Sequence, residues 1–340
     1  MPTREIALIA RARGLSRHLL ARETLETLAE TDDLPAFTRR LSRLGAAIDP
    51  IGEPSDVFAI ERAVGRTANR HLRTLYRWQE RTRGVLDVFA AHQDRRSLRA
   101  LLRGAAQGAP SETRLDGLLP TPLLPQRALT ELAHQPSPAQ VVGQLTLLAH
   151  PDAPRLRPLV QKSQPDLLAV DVTLLLGFAE RATRVADDSD EALREFVSTL
   201  IDIGNAQTAL LIASGPRDID PTNTFVPGGR WLTAIAFVAA ASTGSQQSAL
   251  RTLATALAKS PLASLLPVVA SDVAHLDRAF LTAALERLAR AARLDPLSAA
   301  PLLRVLLLIE AQSRDVRTLA WGAVFGTPAS LRKQQLVTPT

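Results

Sequence analysis

The residues best suited by type and spacing to do chemistry are six arginines: Arg62, Arg66, Arg70, Arg73, Arg77 and Arg81. On a helix, at about 100° per residue, they fall within roughly a 100° arc. Ile60, Val64, Ala68, Leu72, Leu75 and Tyr76 make the opposite, apolar face. A basic stripe of this form fits an acidic protein surface, lipid headgroups or nucleic-acid phosphates. The plainer alternative is a solvated face, paired in part to Glu61 or Glu80. Nucleic acid fits least, because stacking calls for exposed aromatic rings and Trp78 falls at the edge of the apolar face. The six arginines are therefore partner-contact candidates.

Other chemistry is poorly provided for. There is no cysteine, so no disulfide, thiolate metal site or thiol nucleophile can form. The histidines His18, His71, His92, His134, His150 and His275 lack ligand spacing, and no metal is expected. Serine has no Gly-x-Ser-x-Gly setting, and no Gly-x-x-x-x-Gly-Lys-Ser/Thr phosphate loop occurs. Pro227-Gly228-Gly229-Arg230 is too short for a phosphate cradle and reads as a turn feeding a helix. No catalytic residue, cofactor or small-molecule substrate is expected.

A second pattern is a phrase that recurs three times. Ser-Leu-Arg-Ala-Leu-Leu starts at Ser97, Asn-Ala-Gln-Thr-Ala-Leu at Asn205 and Asp-Val-Arg-Thr-Leu-Ala at Asp315, at steps of 108 and 110 residues. Each has a small polar residue (Ser97, Asn205, Asp315), then an apolar one, then a long polar one (Arg99, Gln207, Arg317). Gly108, Gly215 and Gly326 follow about ten residues on. Recurrence at this period points to three related units. The first polar position is read as a hydrogen bond that fixes packing, with a contact surface shared by the three units as the alternative.

The elements that must hold these residues are helical. The 340 residues are 46% hydrophobic but only 4% aromatic, so the cores are built from Ala, Leu and Val. An all-α fold of three lobes is expected, at residues 1–115, 116–222 and 223–340. The first lobe reads as a helix from Arg4 to Glu30, a short one capped by Asp33, one from Ser55 or Asp56 to Arg83, and one from Val85 to Ala106. Linkers are expected at Ala109–Pro125 and Gly215–Gly229, further breaks at Pro136–Pro138 and His150–Pro158, and a frayed tail after Pro328. The lobe starts echo one another through apolar i, i+3 pairs: Leu25 with Leu28, Leu129 with Leu132, Leu232 with Ile235.

Net charge is +6, from 40 basic and 34 acidic residues. Only Lys162, Lys259 and Lys333 are lysines, a bias that reads as coding composition. The whole excess lies in residues 1–115, which hold 20 basic and 14 acidic groups. No signal peptide is visible, and the apolar runs Trp231–Ala241 and Val305–Ile309 fall short of the roughly 18–20 residues that span a bilayer. Membrane association is expected only through a partner.

These residues resemble the C/d subunit family of V-type and archaeal-type rotary ATPases. Ala10–Arg13 is similar to the family's Ala-Arg-Val-Arg, and Ser97–Gly104 to its Asn-Leu-Arg-x-Leu-Leu-Arg. Asp202–Asn205 with Thr208-Ala209 resembles Asp-x-x-Asn-Leu-Arg-Thr-Ala. Pro227–Arg230 resembles a Gly-Gly-Arg/Lys segment, and Val316–Gly326 the closing Ile-Arg-x-Ile-Ala-x-Gly-Lys-x-x-Gly. Departures include Ala7 and Ile9 where the family has Tyr and Asn, and Ala323 where it has Lys.

The resemblance implies an all-α funnel of three lobes about a pseudo-threefold axis. It further implies a non-catalytic rotor subunit on the cytoplasmic face, peripheral through the proteolipid ring. Its partners are then the central-shaft subunits and that ring, and it couples ATP hydrolysis or synthesis to H⁺ or Na⁺ movement. No nucleic-acid partner is implied. The alternative is a helical-repeat adaptor that binds an acidic protein or anionic lipid through the basic helix face.

Overall fold

Three helix starts show how local chemistry sets the elements. In the computed structural model, which describes residues 3–45, 48–51, 56–78, 84–161, 165–215, 219–265 and 273–339, Asp33, Ser137 and Ser245 each cap a helix. Each side chain accepts the backbone N–H three residues on, from Ala36, Gln140 and Ser248, which satisfies a donor the helix itself leaves free.

Among the described residues there are 16 α-helices and no strand. In order they are α1 Thr3–Ser16, α2 Arg22–Ala29, α3 Leu34–Ser42, α4 Val57–Trp78, α5 Val85–Ala106, α6 Ser111–Leu115, α7 Gln126–Ala133 and α8 Pro138–Leu147. Then follow α9 Ala153–Val160, α10 Leu167–Asp187, α11 Glu191–Ser214, α12 Ala234–Ala241, α13 Gln246–Ala256, α14 Val273–Leu294, α15 Ala300–Val324 and α16 Ala329–Gln334.

The elements recur in register. The pairs α2–α3, α7–α8 and α12–α13 are each two short helices. Their equivalent core positions are Leu25, Leu129 and Phe237 in the first helix, and Leu41, Leu145 and Leu253 in the second, all buried. Long helices follow each pair, and the recurrent phrase lies on α5, α11 and α15.

By packing, the chain forms two compact units. The first comprises residues 1–82, 116–120 and 281–340, the second 83–115 and 121–280. In the first, α15 packs along α4 and α1, around Phe37, Leu41, Ile60, Val64, Val316 and Leu319. In the second, α10 packs between α5 and α11, and α11 carries α12. Phe89, Phe178, Leu98 and Leu200 are buried there. At about 1.5–3 kcal/mol for each large apolar side chain, these cores supply the main drive for folding.

Several expectations need correction. The first helix is two, because residues 17–21 leave the helix: the Leu20 N–H donates to the Gln312 side chain (2.7 Å) and cannot bond back along its own chain. The tail is not frayed. Residues 329–334 are helical, and Leu336 and Val337 are buried. The Ala109–Pro125 linker contains α6, and the break at His150–Pro158 is mostly helical: α9 begins at Ala153 and runs on past Pro158 to Val160, with Pro154 in its first turn, where proline costs no hydrogen bond.

The third lobe start is also misregistered. Ile235 is 84% exposed, and the buried i, i+3 pair is Phe237 with Ala240. Finally, α11 is long and apolar enough to cross a membrane, but 83% of its most apolar stretch is buried inside the protein. It is a core helix here.

Candidate functional site: a basic helix face and three buried joints

The arginine row lies on α4, whose inner face carries Ile60, Val64, Ala68, Leu72 and Leu75, all buried. Its outer face is not evenly charged. Arg62 pairs with Asp56 (2.8 Å), and Arg66 donates to the Pro50 carbonyl (2.7 Å). Arg70 pairs with Asp49, which also lies 4.0 Å from Arg66. Exposed pairs of this kind contribute at most about 1 kcal/mol each. Among the described residues Glu61 pairs with no arginine; its carboxylate accepts the Trp321 indole N–H (2.7 Å). Arg73 and Arg77 are exposed and line an open cleft with Arg66, Asn69, Arg70 and Thr74. Among the described residues no carboxylate pairs with either. Arg81 and Glu80 lie outside the described residues. Trp78 is half exposed, with the Arg11 guanidinium 3.3 Å over its ring.

The recurrent polar positions lie elsewhere, inside the protein. Ser97, Asn205 and Asp315 are buried. The Asp315 carboxylate accepts the N–H groups of Val337 (2.8 Å) and Thr338 (2.9 Å), which docks the tail. Asn205 is paired with Val226.

One turn earlier on each helix stands a second buried polar residue: Asp94, Asp202 and Gln312. Asp94 accepts the Thr121 hydroxyl, just before α7. Asp202 accepts the N–H groups of Arg230, Trp231 and Leu232, just before α12 (2.9, 2.9 and 3.1 Å). Gln312 holds Leu20, just before α2. Each of the three helices thus fixes the entry to a short-helix pair. Burial raises the carboxyls of Asp202 and Asp315 above the usual range, although backbone N–H donors pull the other way.

Of the long polar residues, Arg99 lies 3.3 Å from Asp171 on α10, which Arg103 also meets. Gln207 is half-buried, and the half-buried Arg317 reaches Gly117. The Gly-Gly-Arg turn does feed a helix. The Arg230 N–H and those of Trp231 and Leu232 after it meet the internal Asp202 carboxylate, and Gly229 lies so close to that group that a Cβ would collide with it.

Sequence reasoning missed two buried arginines. Arg114 crosses Gly104 of α5 and donates to the carbonyls of Ala109 (2.6 Å), Ala133 (3.2 Å) and Gln135 (2.6 Å), closing the C-terminus of α7. Arg332 crosses Gly322 of α15 and donates to the Thr31 carbonyl (2.8 Å), just past α2. A cation suits a helix C-terminus. The available signal was register, since Arg332 stands two repeat steps beyond Arg114.

Among the described residues no group of three or more His, Asp or Glu is placed to hold a metal. His71 and His150 are buried, and burial pushes both rings down to about 4.

Comparison with known proteins gives a consistent result. The profile of the ATP synthase (C/AC39) subunit family matches residues 8–334. The chain is 29% identical over 283 residues to the C subunit of the V-type ATP synthase of Thermus thermophilus, covering 82% of this chain and 83% of that one. It is 23% identical over 337 residues to the C subunit of the A-type ATP synthase of Haloquadratum walsbyi, covering 94% and 91%.

Proposed function

Because the chain belongs to the ATP synthase (C/AC39) subunit family, a non-catalytic accessory subunit of a multi-subunit complex, we propose that it is the rotor connector of a V/A-type ATPase. In this reading it is a socket that joins the central shaft to the membrane proteolipid ring at the cytoplasmic face. Torque passing through it couples ATP hydrolysis or synthesis to H⁺ or Na⁺ transport. Three lobes, at residues 1–115, 116–222 and 223–340, surround a pseudo-threefold axis as a funnel.

The observation that carries this reading is the family match along nearly the whole chain. The repeated joint supports it physically. A part that transmits torque needs stiffness where its segments meet. Buried hydrogen bonds accepted by Asp94, Asp202 and Gln312 supply it, since breaking them strands polar groups away from water.

Affinity purification of the tagged chain from its own host tests the proposal. Shaft and proteolipid subunits are expected to come with it in constant ratio. Purification of the chain without them would overturn it.

A further inference from the structure

We propose that the arginine row of α4 and the aromatic group at its start form one docking surface for an acidic, amphipathic helix of a neighbouring subunit. This rests on the rotor-connector reading and specifies one of its contacts.

The aromatic end comprises Phe58, Trp321 and Phe325. Phe58 meets Trp321 edge-on at 5.7 Å, and Trp321 stacks on Phe325 at 5.5 Å. Phe58 is 41% exposed and Phe325 74%, in a chain with few aromatic side chains. Glu61 pins the Trp321 ring through its indole N–H, so the group is ordered before any partner arrives. Ordered, half-exposed aromatic side chains are favoured anchors at interfaces.

Phe58 stands one helical turn before Arg62 on the outer side of α4. From Phe58 to Arg77 the surface runs about 28 Å, the length of a helix of about 19 residues. Charge along it is graded. Arg62, Arg66 and Arg70 are answered by Asp56, Asp49 and the Pro50 carbonyl. Arg73 and Arg77 remain unanswered among the described residues.

The occupant that fits places apolar side chains at the Phe58 end and carboxylates at the Arg77 end. Arginines four residues apart stand one turn apart, and carboxylates repeating each turn of a second helix match that spacing. An anionic membrane fits poorly, because Asp49, Asp56 and Glu61 place negative charge along the same surface.

The test uses the assembled complex carrying p-benzoylphenylalanine at position 325 or at position 73. Both positions are expected to crosslink to one helix of one other subunit, with Asp or Glu opposite position 73. Adducts with lipid, with a second copy of this chain or with two different subunits would overturn the proposal. So would the absence of adducts at both positions.

In parallel, Arg73→Gln with Arg77→Gln is expected to speed loss of the chain from the complex about ten-fold in moderate salt. Arg127→Gln, an exposed arginine on α7, is not. Equal loss from both variants counts against the surface. If the chain does not assemble at all, the rotor-connector reading fails; if it assembles without these crosslinks, only the docking surface fails.

Discussion

The Asn205 side chain pairs with the backbone of Val226 in both directions. Its Nδ2 donates to the Val226 carbonyl at 2.7 Å, and its Oδ1 accepts the Val226 N–H at 3.0 Å. Both residues are buried. A side-chain amide here does what a neighbouring strand would do, in a segment that has no strand to pair with. Asn205→Ala therefore strands two buried backbone groups, and urea unfolding should show a loss of about 2–4 kcal/mol. A loss below about 0.5 kcal/mol would mean that the joint does not carry stability.

Asp94 predicts a pH dependence. Burial raises its carboxyl from 3.8 to about 7, against the pull of the Thr121 hydroxyl and Arg181 and with that of Asp152. The folded chain then holds this proton more tightly than the unfolded chain does, so the resulting stability is lost as pH rises from about 4 to about 7. His71 and His150 act oppositely: lowered from 6.5 to about 4, they cost stability as pH falls through that window. Asp94→Asn should be close to neutral at pH 4.5 and stabilising at pH 8. Equal effects of the substitution on melting temperature at the two pH values would refute this.

Two close approaches of glycine to arginine predict a contrast with a third, open glycine. A Cβ on Gly104 would lie 2.7 Å from Arg114 Cγ, and one on Gly322 2.5 Å from Arg332 Cδ. Neither arginine can retreat without releasing the carbonyls it closes. Gly104→Ala and Gly322→Ala should each cost about 1–3 kcal/mol. Gly65, within α4, has nothing within 4 Å of its would-be Cβ, so Gly65→Ala should be stabilising by about 0.5–1 kcal/mol. Thermal unfolding of the three variants checks the order.

Much of the fold could be read from the sequence because its signals are local. The Val85–Ala106 helix, the Asp33 cap and the recurrent phrase all declare themselves within one or two turns. What escaped was set by distant residues. Nothing near Leu20 announces that Gln312 takes its N–H. Leu232 with Ile235 mimics a helical face because the true start of α12 is fixed by Asp202 holding residues 230–232. The site was legible to a similar degree. Periodicity located the arginine row, but which members are neutralised depends on Asp49 and Pro50, folded back against α4.

The bond between Leu20 and Gln312 joins residues 292 positions apart, and Arg22 likewise reaches the carbonyls of Lys333, Leu336 and Thr338. On the ribosome these partners emerge in sequence, at roughly 5–20 residues per second. The start of the chain therefore waits on the order of tens of seconds for the segment that covers it, with Leu25 and Leu28 open to solvent or to a chaperone. Residues 83–115 and 121–280, the other compact unit, are all synthesised before that segment. Residues 20–28 are thus made long before the segment that secures them, so a premature stop ahead of Gln312 would leave them uncovered.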